Sequence, residues 1–456
     1  YAIFEKNITQ RLIMKILTIQ ALIDSQWLDI AELTIVQPEK GATSSAELEY
    51  KLDYAIQHFD RRDKYACSLS LPIQLLIKHE SKKWFGFLDD IVPSGAARRY
   101  WINYLGLQHL SYTEQDTILL EKGTIAPVGN LRIKEAIPLR TPESTLHLLQ
   151  FTVIDVANRN AEFLEYAQQM GAISGGATGA GGEAPKLLVR LTQEQQVWID
   201  TYQDNFTQPD LHYLVKFPRN RRSEIDCNIL RAEYYYYHEL HSLGFNTINV
   251  GQMKLIEGDQ YPSLWLPRFD VQWVDQQWSR YGLESVYSIL NKSAGSHLNH
   301  FAVIDQMCGL LSKIDSQFNT QQFVCEWLQR DLLNIIFGNS DNHGRNTSFL
   351  KASNQIFLAP IYDFAPMKAD PEQVIRSTTW GSPYEEGGEY RWDKITKQLA
   401  PWCEPEIAMM VLKQLAVQLL CLKDRLITRG VPEQIMTMPV LGFDFIEVKL
   451  KRWGLI

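Results

Sequence analysis

An α+β fold is predicted by two patterns in the sequence. A glycine-rich segment runs into short apolar stretches separated by polar turns, and a long downstream half spaces its apolar residues as helices do. Size and composition agree with this. The chain has 456 residues, 45% hydrophobic and 21% charged, which suits a folded protein of two to four units at roughly 100–200 residues each. The formal net charge of −8 excludes a globally basic nucleic-acid coat.

Taken in order, the first 150 residues are mixed. Thr9–Asp24 brings Ile13, Ile16, Leu17, Ile19, Leu22 and Ile23 to one helical face and is predicted as a helix. No second helix follows it at the short turn a DNA-reading helix-turn-helix needs. Lys83–Leu105 is predicted largely helical, with Arg98 and Arg99 on a solvated face. The glycine-rich segment Gly171–Gly182 precedes three strand-like runs, Lys186–Leu191, Val197–Tyr202 and Leu211–Phe217. A helix is expected over Asp226–Leu243, then a hairpin of Ile248–Ile256 and Tyr261–Phe269. Beyond Asp270 the chain reads as helical, apart from a small hairpin of Thr347–Leu350 and Gln355–Leu358.

The expected units are therefore 1–160, 161–267 (a β-rich lobe opened by the glycine loop) and 268–456 (a helical lobe). The most apolar stretch, Ala408–Leu422, is broken by Lys413, Gln414 and Gln418 and reads as a buried helix, not a membrane span. The first thirty residues carry no secretory signal pattern. Six cysteines without a C-x-x-C pair point to reduced, mostly buried thiols and a cytoplasmic location.

Chemistry concentrates in F-G-N-S-D-N-H-G-R-N, Phe337–Asn346, just past an apolar helix that Gly338 terminates. Asp341 and Asn346 are five residues apart, and Asp363 follows in I-Y-D-F after the hairpin. Phosphoryl transfer needs such a set: one carboxylate to orient and deprotonate a hydroxyl, and an amide oxygen with a second carboxylate to hold Mg²⁺. The protein-kinase catalytic loop uses the same spacing of five. Here His343 follows the Asp instead of preceding it, and Ala365 replaces the glycine after Asp-Phe. A polar turn capped by Asn and Asp is the simpler reading of each residue alone. Lys216 on the third strand can reach ATP phosphates and pair with Glu233 of the next helix, or else extend to solvent as an edge lysine. Tyr234 to Tyr237 read as packing.

These pieces together make the chain resemble the HipA-like serine/threonine kinases, the toxin component of bacterial HipBA toxin–antitoxin pairs. The matching residues are G-G-E-A-P-K (Gly181–Lys186), V-K-F-P (Val215–Pro218), Ala232-Glu233, R-F-D (Arg268–Asp270), S-D-N-H-G-R-N (Ser340–Asn346) and P-I-Y-D (Pro360–Asp363). L-S-L-P at Leu69–Pro72 is similar to the family's N-terminal module. The resemblance implies a bilobal, protein-kinase-like fold with an α/β N-terminal part and an all-α C-terminal lobe. It implies ATP and Mg²⁺ as cofactors, Asp341 as catalytic base, and Asn346 and Asp363 as metal ligands. Gly181, Gly182, Lys186, Lys216, Glu233 and Tyr362 would serve ATP binding, Pro267, Arg268 and Phe269 would form the adenine hinge, and His343 would line the nucleotide site. It further implies autophosphorylation at Ser174, with Thr178 as a rival. A protein substrate, such as an aminoacyl-tRNA synthetase, and a HipB-like helix-turn-helix antitoxin that alone contacts DNA also follow from the resemblance. Two other functions compete: a lipid or small-molecule kinase, disfavoured by the lack of a basic amphipathic membrane segment, and a non-catalytic corepressor, which should have lost a metal or base residue.

Overall fold

The structure, a computed structural model, describes residues 14–125, 127–137, 149–170, 186–202 and 204–456. Strands β1 (Lys15–Ile23) and β2 (Gln26–Ile35) form a hairpin, and β3 (Ala46–Tyr50) continues the sheet. After α1 (Leu52–Gln57) come β4 (Lys78–Ser81), the helices α2 (Gly86–Ile91), α3 (Gly95–Tyr104) and α4 (Tyr112–Lys122), and β5 (Leu131–Ile133). The antiparallel sheet has the order β4-β3-β2-β1-β5. The helix expected over Thr9–Asp24 is thus corrected to a strand from Lys15 onward. Leu17, Ile19 and Ala21 are fully buried at a period of two, and the β-branched Ile16, Thr18, Ile19 and Ile23 favour the pleated conformation. A second correction concerns Arg98, which is buried: its guanidinium lies 2.6 Å from Asp116 and over the ring of Tyr112.

A second antiparallel sheet follows. It comprises β6 (Phe151–Thr152), then, after α5 (Val153–Ala157) and α6 (Ala161–Gln169), β7 (Lys186–Leu191), β8 (Gln196–Trp198) and β9 (Leu211–Lys216). Helix α7 (Glu224–Ser242) intervenes before β10 (Lys254–Glu257) and β11 (Pro262–Pro267), and the order is β10-β11-β9-β7-β8-β6. Register sets Lys186 opposite Lys216 at one end of the sheet. A capping box of Ser223 and Asp226 starts α7. The helix buries Ala232, Glu233, Tyr236, Tyr237 and Leu240, the 3–4 spacing of a core-facing stripe.

Past Asp270 the expectation of helix interrupted by one small hairpin needs correction, since further short strands occur. The hairpin β12 (Val271–Val274) and β13 (Gln277–Arg280) turns at Asp275-Gln276, both at positive φ, with Trp273 and Trp278 opposed across the ladder. Then come β14 (Gly282–Ser285), α8 (Val286–Ile289), β15 (Leu298–Asn299), α9 (His300–Ile314) and α10 (Thr320–Phe337). The expected small hairpin forms as β16 (Ser348–Ala352) and β17 (Gln355–Leu358), and β14 joins it as a third strand. The short β18 (Thr378–Thr379) pairs with β15, and α11 (Trp392–Gln398), α12 (Pro405–Leu419) and α13 (Leu422–Arg429) lead toward the end of the chain. Ala408–Leu422 is thus broken by a 52° bend, and no single described helix is long and apolar enough to cross a membrane. All six cysteines are free thiols and five are buried.

The first sheet's unit docks on the helical lobe through buried polar contacts. Glu284 accepts hydrogen bonds from Ser68 Oγ (2.5 Å) and the Leu69 amide (2.9 Å), and Lys351 Nζ reaches Glu284 (3.1 Å) and the Ala66 carbonyl (3.2 Å). This explains the L-S-L-P segment physically: it delivers a hydroxyl and an amide to a buried carboxylate that Lys351 and Ser288 Oγ also hold, so that its oxygens are satisfied.

Candidate active site

Helix α10 stops at Gly338, which adopts φ 72° and whose Cβ, if present, would lie 2.4 Å from Leu441. The loop beyond it is held by its own side chains. Asn346 Nδ2 donates to the Asp341 carbonyl (2.7 Å), and the Asp341 amide donates to Asn339 Oδ1 (3.2 Å). A spacing of five is what this closure requires. Asn346 Oδ1 is left buried and, among the described residues, without a hydrogen-bond donor.

Asp363 is carried on the strand-like exit from β17. Ile361 donates to the Asn246 carbonyl (2.9 Å), and Tyr362 OH reaches the Arg345 carbonyl (2.5 Å) and Ser348 Oγ (2.6 Å). Asp363 itself has φ 52°, a left-handed conformation that costs a non-glycine residue energy and concentrates at functional sites. Its carboxylate bonds Lys216 Nζ and lies 3.5 Å from Lys186 Nζ. Lys216 also donates to Glu233 (2.7 Å), which accepts from Tyr237 OH as well (2.8 Å).

The charges respond to this crowding. Burial opposes ionisation of Asp363, but Lys186 and Lys216 outweigh it and hold the carboxyl well below the usual carboxylate range. Burial likewise disfavours the Lys216 ammonium, yet Asp363 and Glu233 together raise its pKa. Lys186 differs: desolvation wins over Asp363 and its pKa falls. Asp341 is pushed up by burial, with His343 Nε2 at 3.4 Å pulling the other way and Asp363 adding to the rise.

An apolar cleft lies between the lobes, walled by Val128, Leu214, Leu266, Leu283 and the Pro267–Asp270 segment, with Tyr362, Lys216 and Asp363 at its inner end. Lys216 and Asp363 also line an adjoining cavity that holds Lys186, Glu233, Asp341 and Arg219. Phe269 packs on Tyr362 at 5.3 Å between ring centres. The side chain of Arg268 turns onto Asp270 (2.5 Å), whose carboxylate also accepts the Gly129 amide (2.7 Å). His343 contacts Asp341 (3.4 Å) and also lines a cavity behind the loop, stacked on Tyr287. Gly181, Gly182, Ser174 and Thr178 lie outside the described residues. Arg219 was not singled out from the sequence, although it stands three residues after Lys216.

The donor set suits a hard cation. An amide oxygen without a donor and an ionised carboxylate are the oxygen ligands Mg²⁺ prefers. Behind the loop, a second buried carboxylate, Asp331, accepts from Arg376 (2.9 Å) and Trp380 Nε1 (2.8 Å), with His300 Nε2 at 3.4 Å.

The strand-rich lobe and the helical lobe that face each other across the cleft make a bilobal, protein-kinase-like α+β fold. The chain belongs to the HipA family: the model of the HipA-like C-terminal domain matches residues 178–420, more than half of its length. Among solved structures, HipA of Shewanella oneidensis MR-1, from the complex of that toxin–antitoxin system with HipB and operator DNA, is similar with a TM-score of 0.62. The similarity covers 96% of each chain at 14% identity. The Helicobacter pylori proinflammatory kinase CtkA is far more distant, with a TM-score of 0.37 and 16% identity over 61% of this chain and 92% of that one. A comparison with curated proteins finds no match.

Proposed function

We propose that this chain is an ATP-dependent serine/threonine protein kinase of the HipA toxin type. The observation that carries the reading is the Glu233–Lys216–Asp363 chain of contacts beside Asp341, at the inner end of an apolar cleft. Pro267–Phe269 would hold the adenine, and Lys186 and Lys216 would bind phosphate oxygens. Asn346 and Asp363 would hold Mg²⁺, which when bound neutralises charge on the transferring phosphoryl group. Asp341 would orient the acceptor hydroxyl and take its proton, a task favoured by its raised pKa. Gly181 and Gly182 would approach the phosphates closely, having no Cβ.

The same reading assigns autophosphorylation to Ser174 or Thr178, a protein substrate such as an aminoacyl-tRNA synthetase, a HipB-like partner that makes the DNA contacts, and a cytoplasmic site of action. The similarity to a HipA solved with HipB and DNA supports the partner. The test is phosphate transfer from labelled Mg²⁺-ATP by the purified chain, mapped by mass spectrometry. Asp341→Asn should lower transfer about 10²- to 10⁴-fold while ATP still binds. Wild-type turnover in that variant would remove Asp341 from the role.

A further inference from the structure

Arg345 is a fully charged side chain buried inside the catalytic loop, 2% exposed, between His343 and Asn346. Its backbone ties both halves of the site together. The amide lies 3.3 Å from His343 Nδ1, and the carbonyl accepts the hydroxyl of Tyr362, the neighbour of Asp363. A buried guanidinium requires nearby negative charge. Among the described residues its ion-pair partner is Asp90 of α2, in the N-terminal unit.

The geometry points to Asp90 as a positioning residue that sets the catalytic loop through Arg345, so that the N-terminal unit completes the active site of the helical lobe. Asp90 is 3% exposed. It accepts the Ser285 amide (2.8 Å) and the Ser285 hydroxyl (2.7 Å), and Oδ1 lies 3.7 Å from Arg345 Nε. Two further contacts hold α2 in place. A Cβ on Gly86 would fall 2.7 Å from the Ser288 carbonyl, so the two backbones touch. Trp84 Nε1 donates to Asp89 (3.0 Å), tying α2 to the segment before it. The inference rests on the kinase reading for its catalytic consequence, though not for the contact itself.

Asp90→Asn tests it, because an amide preserves shape and can still accept the Ser285 amide but cannot serve Arg345 as a carboxylate. The expected result is a fall in kcat of about 10- to 100-fold, with the ATP KM within about twofold. Arg345→Met should give a similar fall. The double variant should be no worse than Arg345→Met alone, since both act through one contact. Hydrogen exchange should accelerate over residues 341–346 in Asp90→Asn more than over α2, alongside a fall in melting temperature from the broken buried pair. Additive losses in the double variant, or wild-type exchange in the loop of Asp90→Asn, would overturn the proposal. Should the wild-type chain transfer no phosphate, the kinase reading fails, and the exchange comparison alone still decides whether Asp90 positions the loop.

Discussion

Asp363 and Asp331 are both carboxylates held below the usual range by basic partners, the first half-buried and the second fully buried, yet they are built for opposite ends. Asp331 is sealed. Arg376, Trp380 Nε1 and His300 surround it, and it is 2% exposed. Asp363 stands on strained backbone at the edge of a cleft, and its partners are two lysines on flexible stems from the opposite lobe. Rigid, planar Arg and Trp donors lock a charge in place, whereas Lys presents a point charge that can be redirected. The same stabilising electrostatics therefore yield a rivet in one place and an exchangeable contact in the other.

The contrast can be broken at either end. The largest effect is expected from Asp363→Asn, which should lower phosphotransfer on the order of 10³-fold or more, with circular dichroism and melting close to wild type. A fall in stability with activity retained would reverse the assignment. Asp331→Ala should do the opposite, costing about 3–5 kcal/mol in denaturant unfolding because a buried ion pair is broken, Trp380 Nε1 loses its acceptor and Arg376 keeps only Glu385. Loss of less than about 1 kcal/mol would show that the cluster is not a rivet.

A pH series sharpens the comparison. Burial disfavours the charge on Asp331, but Arg376 and His300 outweigh it, so its folded pKa is depressed. Its contribution is then complete above the unfolded pKa of about 3.9 and lost as pH falls toward the folded value. Asp331→Asn should therefore be most destabilising near neutral pH and progressively less so below pH ~4, as read from melting curves. Parallel curves for the two proteins would contradict this. The smallest effect is expected from Tyr237→Phe, which removes one hydroxyl from Glu233 and should cost about 1 kcal/mol, with a few-fold rise in the ATP KM and little change in kcat.

Local chemistry was the legible part of this sequence. The closure of Asp341 by Asn346 spans five residues, and the glycine stop at Gly338 is a one-residue signal, so both could be read from spacing. Strand β1 was misread because Leu22 and Ile23 are both buried at the hairpin end, and adding them to Leu17 and Ile19 imitates a helical stripe. The β12–β13 hairpin was missed because polar residues interrupt its two tryptophans. Contacts such as Ser68 with Glu284 and Asp90 with Arg345 join residues far apart in the chain, and no spacing rule reaches them. L-S-L-P could be seen as a motif, but not what it touches. His343 could be tied to the loop, but not to the cavity it faces.

The Ser68–Glu284 contact has a consequence for biosynthesis. The two residues are 216 positions apart. At ~5–20 residues per second, roughly 10 to 40 s pass on the ribosome between them. Throughout that interval the nascent N-terminal unit offers a hydroxyl, an amide and the Ala66 carbonyl on a face whose carboxylate and ammonium partners have not yet been translated. Synthesis of this chain thus includes a waiting period in which its first unit is folded on one side and unfinished on the other, the kind of intermediate that chaperones engage.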